Sequence, residues 1–291
     1  MVCGCIDIGT NTTRVLVADA EGGRLTEVLQ RRAFTRLGKA LRAGEAIPPE
    51  KIEEIARVVA EQRELAEAVG ARPLRAVATA AIRSAANRDA FVDAIREIGG
   101  VDVSVLDGEE EARLAFLGAT RTLGRTLDGR VGVVDVGGGS TEIAVGTVPE
   151  GATWSASFRV GSGFLAEHYL GMDPPSAAAL HAVREHARGT FDGLEVPAVD
   201  AAVAVGGSAQ SMRRLVGAVL DGETLQRALR VLSDAPAADV AERFALDVER
   251  VKLLPAGILV LDAAAERLGR PLQIGRGGLR EGVLLELSGA G

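Results

Sequence analysis

Cysteine, histidine, lysine and aromatic residues are scarce in this chain, and each shortage narrows what the protein can be. Only two cysteines, Cys3 and Cys5, occur in 291 residues, which excludes a disulfide framework. They are two apart in an apolar run, so a strand would put both on one face as small buried hydrophobes rather than a metal site. Of the three histidines, His181 and His186 are five apart and do not align on one helical face as zinc ligands. These two and His168 are expected to be structural or surface residues. The only lysines are Lys39, Lys51 and Lys252. Arginine therefore supplies nearly all of the positive charge, and its planar fork suits phosphate, although biased composition would give the same count. No apolar run is long enough to span a bilayer, since residues 253–265 are interrupted by Asp262. The N-terminus lacks a basic segment followed by an apolar stretch, so a cytoplasmic protein without a signal peptide is expected. A Gly-x-x-x-x-Gly-Lys-Ser/Thr loop is also missing, which disfavours a P-loop nucleotidase.

What is present is ample apolar material. The chain is 47% hydrophobic and 25% charged, enough for two cores and unlike a disordered chain. Net charge is −7, which argues against non-specific nucleic-acid binding. A polyanionic substrate would have to be drawn in by local clusters. Alternating and apolar runs predict strands over residues 1–8, 13–18 and 25–32, separated by turn formers. Helical spacing follows over residues 49–69, then a strand at 74–78, a helix at 89–98, a strand at 101–106 and a helix at 109–123. The second half starts the same way, with strands over 131–136, 141–148 and 153–160. Helices are expected from about residue 176, with strands at 201–205 and 272–274.

The two starts are a repeat. Ile6-Asp7-Ile8-Gly9-Thr10-Asn11-Thr12-Thr13-Arg14-Val15 aligns without gaps on Val134-Asp135-Val136-Gly137-Gly138-Gly139-Ser140-Thr141-Glu142-Ile143, at an offset of 128 residues. Each copy is a strand ending in Asp-x-Gly, a small polar turn and a second strand. Two duplicated domains meeting at a cleft are expected, residues 1–127 and 128–291. Turns of Gly, Ser and Thr expose backbone N–H groups with little bulk, so phosphate oxygens can approach. Carboxylates beside phosphate need a cation between, and Mg²⁺ (or Mn²⁺), which takes one or two carboxylates and bridges to phosphate, is the natural choice. The carboxylates at the turn entrances, Asp135 and Asp7, would be its partners. Two ordinary hairpins with locally bonded aspartates are the plainer alternative. The equivalent positions Arg14 and Glu142 differ in sign, as an enzyme needs: one side holds an anion, the other can take a proton from water.

These motifs resemble the two phosphate-binding motifs of the exopolyphosphatase/guanosine pentaphosphate phosphatase (Ppx/GppA) family, part of the actin/Hsp70/sugar-kinase superfamily of duplicated ribonuclease H-like α/β domains. Further segments resemble the family in order: Thr79-Ala80-Ala81-Ile82-Arg83, Gly108-Glu109-Glu110-Glu111-Ala112, Val205-Gly206-Gly207-Ser208 and Gly278-Leu279-Arg280-Glu281-Gly282. The resemblance implies a short, two-domain member. It casts Glu111 as the glutamate that helps position the attacking water, Glu142 as a second glutamate that serves as general base or metal partner, and Asp135 as the metal-binding catalytic aspartate, with Asp7 its counterpart. Phosphate would be lined by Gly9, Thr10, Asn11, Thr12, Thr13, Arg14 and Arg83, by Gly137, Gly138, Gly139, Ser140 and Thr141, and by Gly206, Gly207 and Ser208. Without the resemblance, residues 109–111 read as acids suited to a helix N-terminus. Two positions depart from the family pattern: Gly163, where many members carry arginine, and Arg276, where many carry an acid. The implied activity is hydrolysis of inorganic polyphosphate or of the guanosine pentaphosphate alarmone, by a homodimer. A non-catalytic sensor of either ligand is a rival. So is an ATP-binding superfamily member, which would need an adenosine pocket near residues 205–214, where Arg213 and Arg214 suit phosphates better than adenine.

Overall fold

The computed structural model describes residues 1–40 and 44–290, and the chain divides into two compact units, Met1–Thr122 with Gly277–Gly291, and Leu123–Arg276. In the first unit the strands are β1 (Val2–Ile8), β2 (Thr13–Glu21), β3 (Arg24–Ala33), β4 (Leu74–Ala78) and β5 (Val103–Val105). They lie in the order β3-β2-β1-β4-β5. Strands β1 to β3 form an antiparallel meander, and β4 and β5 add in parallel. The helices are α1 (Leu37–Ala40), α2 (Pro49–Ala68), α3 (Ala80–Arg83), α4 (Arg88–Ala94, continued by a π-helical turn Ile95–Gly99) and α5 (Gly108–Thr122).

The second unit repeats the plan. Strands β6 (Val131–Val136), β7 (Thr141–Thr147) and β8 (Gly151–Phe158) form the meander, β9 (Ala201–Val205) and β11 (Leu272–Ile274) add in parallel, and β10 (Val219–Leu220) closes the edge. The order β10-β11-β9-β6-β7-β8 contains the first sheet's order with one strand added. Its helices are α6 (Ser162–Tyr169), α7 (Ala177–Thr190), α8 (Gly206–Val216), α9 (Gly222–Asp234), α10 (Ala237–Phe244) and α11 (Val248–Leu268). This is the expected α/β class, two ribonuclease H-like units. Strand alternation puts Val134, Val136, Ile143 and Val145 into the core under these helices, and leaves Asp135 and Glu142 on the opposite face. Among the described residues no helix is long and apolar enough to cross a membrane.

One domain expectation is corrected. The chain does not stay in its second unit to residue 291: helix α12 (Leu279–Leu287) returns to the first. Leu279, Val283 and Leu284 share a core cluster with Cys3, Cys5, Leu16 and Leu114. Glu286 pairs with Arg75 at 3.0 Å and with Arg113, which is also bound to Glu110 at 2.8 Å. Arg113 holds the Glu110 carboxyl below its ordinary range. Gly118 and Gly282 let α5 and α12 touch, since a Cβ on Gly282 would collide with the Leu114 carbonyl and one on Gly118 with that of Gly278. Gly282→Ala is therefore expected to destabilise the first unit by about 3 kcal/mol, the upper end for overpacking, read as a lower denaturant midpoint.

Smaller differences have local causes. The third strand of the second half runs from residue 151, two residues earlier than expected, with a register shift between Val145 and Gly146. Helix α6 begins at Ser162, earlier than the helices expected from about residue 176, and its first N–H groups find partners elsewhere in the fold.

Candidate active site

The duplicated hairpins close alike. Gly9 N–H donates to the Thr12 carbonyl and Gly137 N–H to that of Ser140, both at 3.0 Å. Burial repeats too: residues 9–11 and 137–139 are partly exposed, whereas 12–13 and 140–141 are buried. The first half of each turn is thus what solvent reaches, and at residues 137–139, all glycine, that surface is backbone. The hydroxyls of Thr13 and Thr141 are engaged inside, Thr13 with Thr35 at 3.2 Å and Thr141 with the Val160 carbonyl at 2.6 Å. Thr12 accepts from Arg14 Nε at 3.1 Å.

Register then sets the chemistry. Asp7 is directly opposite Arg14, and Arg14 opposite Arg32. Asp135 is directly opposite Glu142, and Glu142 opposite Ser157. Opposite residues share a face with Cβ atoms about 5 Å apart. The first unit therefore presents acid, base, base where the second presents acid, acid, hydroxyl. Ser157 donates to Glu142 Oε1 at 2.8 Å, and Glu142 is only 2% exposed.

Two carboxylates facing one another are unfavourable unless a cation or proton intervenes. Among the described residues no group of three or more His, Cys, Asp or Glu side chains could hold a metal ion unaided. Mg²⁺ needs only one or two carboxylates, with water and phosphate oxygens completing its shell. The Asp135–Glu142 pair fits that requirement. Asp7 has a different setting: Arg14 and Arg280 oppose the burial that raises its carboxyl above the ordinary range, and Glu281 adds to the rise.

That shift has a sign. An aspartate whose folded value lies above its unfolded one costs stability when ionised. Stability therefore falls as pH rises from the unfolded to the folded value, and the full cost is present above the folded value. Asp7→Asn is expected to raise the thermal midpoint at pH 7 and to lose that advantage at acid pH, measured by thermal melts across pH.

Behind Asp135 stands the turn from β9 into α8. Gly206 has φ +86°, and a Cβ there would collide with Asp135 Oδ1. Both the conformation and the close approach require glycine. The N-terminus of α8 thereby meets the Asp135 carboxylate, a favourable placement for an anion. Gly207 makes room for Arg250, whose Nη1 lies 2.5 Å from where a Cβ would be. Ser208 is fully buried and packs on Gly257 of α11, so its hydroxyl faces the interior rather than the turn surface. In the first unit, Arg83 of α3 donates to Glu111 Oε2 at 2.9 Å and to the Leu106 carbonyl at 2.8 Å. Glu111 is 7% exposed on the first turn of α5. Two residues read separately in the sequence are thus one partly buried ion pair.

The Ppx/GppA phosphatase family matches residues 16–290 of the chain. Exopolyphosphatase 1 of Mycobacterium tuberculosis is 31% identical to it, across 98% of this chain and 88% of that protein. This chain belongs to the Ppx/GppA phosphatase family. Exopolyphosphatase 1 of Mycobacterium leprae is 32% identical, across 98% and 89% of the two chains. The crystal structure of the Aquifex aeolicus Ppx/GppA family member superposes with a TM-score of 0.82 at 28% identity, covering 99% of this chain and 97% of that one. Family membership supports phosphatase function, and the duplicated turns and buried carboxylates suit phosphoanhydride hydrolysis.

Sequence reading of this Ppx/GppA chain passed over Arg32, Ser157 and Arg250. Arg32 and Ser157 emerge only from strand register, each being the cross-strand partner of the residue opposite the aspartate, because the 128-residue offset sets Arg32 against Val160 instead. Arg250 left no local signal: it is 7% exposed on the first turn of α11, and only the fold brings it over Gly207.

Proposed function

We propose that this chain is an exopolyphosphatase, releasing the terminal phosphate of inorganic polyphosphate by attack of water. The observation that carries the reading is the contrast in register: Asp135 facing Glu142 beside one glycine turn, Asp7 facing Arg14 beside the other. The first arrangement suits a metal-bridged phosphate, the second a bare anion. The mycobacterial relatives are named exopolyphosphatases, which supports polyphosphate as the substrate.

In this reading Asp135 and Glu142 would hold Mg²⁺ or Mn²⁺. When bound, the ion would neutralise phosphate charge and favour developing negative charge on the leaving oxygen. The chain's own groups do the rest. Backbone N–H groups of residues 138–140 and 10–13 would bind phosphate oxygens, the Gly9 and Gly137 N–H groups being used inside the turns, and Arg14 would hold a further anion. Glu111, fixed by Arg83, orients the attacking water and accepts its proton. Glu142, fixed by Ser157, keeps its carboxylate directed at the turn.

The test is phosphate release with Mg²⁺ from long-chain polyphosphate and, in parallel, from guanosine pentaphosphate. Release from polyphosphate with the higher kcat/KM supports the proposal. A preference for guanosine pentaphosphate replaces the substrate and keeps the chemistry. Tight binding of either without release makes the chain a sensor and overturns it.

A further inference from the structure

The second glycine turn is held from behind by the first turn of α6. Ser162 donates its backbone N–H at 2.9 Å and its hydroxyl at 3.1 Å to the Gly137 carbonyl. Gly163 and Phe164 donate their N–H groups to the Gly138 carbonyl at 2.9 and 3.0 Å. A trans peptide points its C=O and the following N–H in opposite directions, and the cis bonds of the described residues, Arg72-Pro73 and Asp173-Pro174, lie elsewhere. The N–H groups of Gly138 and Gly139 are therefore turned away from α6, out of the side where the turn is packed.

Three N–H donors that every helix leaves unsatisfied at its start are spent on these two carbonyls. The positive end of α6 thus acts on the turn itself. A carbonyl accepting two hydrogen bonds also polarises its peptide, which strengthens the next N–H as a donor.

The fit is close. A Cβ on Gly161 would lie 2.6 Å from both the carbonyl carbon and oxygen of Gly138 and 2.7 Å from the Gly139 nitrogen. Ser162 is 1% exposed, and its Cβ is 3.4 Å from the Cβ position of Gly257 on α11, beside Ser208. The first unit's turn has a plainer support: the Thr10 and Asn11 carbonyls accept one backbone N–H each, from Gly38 at 2.8 Å and Arg36 at 3.0 Å.

We propose that Ser162 is a positioning residue, which with the α6 N-terminus fixes the Gly137–Gly138–Gly139 peptides so that the Gly138 and Gly139 N–H groups are aimed at phosphate before it arrives. The inference rests on the phosphatase reading for its choice of ligand, and the experiment separates the two. Wild type, Ser162→Ala, Ser162→Thr and Gly161→Ala are compared for phosphate release from polyphosphate, for binding of inorganic tripolyphosphate by calorimetry, and for thermal midpoint.

Ser162→Ala keeps the backbone donors and loses one hydroxyl, so kcat is expected to fall about fivefold with KM within about twofold. Ser162→Thr keeps a hydroxyl and should restore at least half of the activity. Gly161→Ala drives a methyl group into the Gly138 peptide, and a drop of about 100-fold in kcat is expected, as for loss of one preorganised donor, with weaker tripolyphosphate binding. Wild-type kcat and tripolyphosphate affinity in both Ser162→Ala and a folded Gly161→Ala would overturn the proposal and leave the phosphatase reading standing. Wild-type binding without release, lost in the variants, would uphold the positioning role and end the hydrolase reading.

Discussion

Asp135→Ala is expected to lower phosphate release by about 10³-fold or more, with the fold retained. The side chain sits at the end of β6, against the α-carbon of Gly206 and directly across from Glu142. No hydrophobic contact of the core depends on it, because strand alternation puts Val134 and Val136, not Asp135, into that core. Its removal takes away one of the two carboxylates that would hold the metal in the proposed reading, and groups that stabilise charge in phosphoryl transfer account for losses of this size. The unfolding midpoint should stay within about 5 °C of wild type, the shift that about 1 kcal/mol produces. Asp135→Asn should behave in the same way, because the shape survives and the charge does not. A phosphate-release assay over a Mg²⁺ titration checks both. Wild-type turnover in either variant would remove Asp135 from the site.

Glu111 carries the second large effect, and it divides into two measurable parts. Glu111→Gln keeps a hydrogen-bond acceptor for Arg83 and loses the base, so kcat should fall by about 10²- to 10⁴-fold with little change in stability. Glu111→Ala should lose the same activity and also about 1–3 kcal/mol of stability, because the Arg83 guanidinium and the space around a 7%-exposed carboxylate lose their partner. Kinetics and denaturant melts on the two variants together distinguish a base from a structural acid. If Glu111→Gln were as active as wild type while Glu111→Ala merely unfolded more easily, Glu111 would be structural.

Much of the fold was legible in sequence because its signals are local. Strand alternation and turn formers located both meanders, and the 128-residue offset exposed the duplication. What was missed needed partners far away in the chain. Helix α6 starts in a Gly-Ser-Gly stretch, and the Gly137 and Gly138 carbonyls that satisfy its first N–H groups are some 25 residues earlier. Helix α12 reads as the end of the second domain until Gly118 and Gly282 are seen to bring it onto α5 in the first. Within the site, the pairing of Arg83 with Glu111 joins two motifs 28 residues apart, and Arg250 is placed by the packing of α11 alone.

The sequence by itself determined the chemistry available: two Asp-x-Gly turns and opposite signs at Arg14 and Glu142, carried by residue type and period, together with acids at residues 109–111 at the start of a helix. Tertiary structure decided which of these groups are exposed and how they are aimed. It turned the hydroxyls of Thr13, Thr141 and Ser208 inward, left the turn backbones of residues 9–11 and 137–139 partly open, and set Asp7 among arginines but Asp135 opposite an acid. The reason is that burial and hydrogen-bond direction depend on what packs against a residue, and that neighbour is seldom its neighbour in the chain.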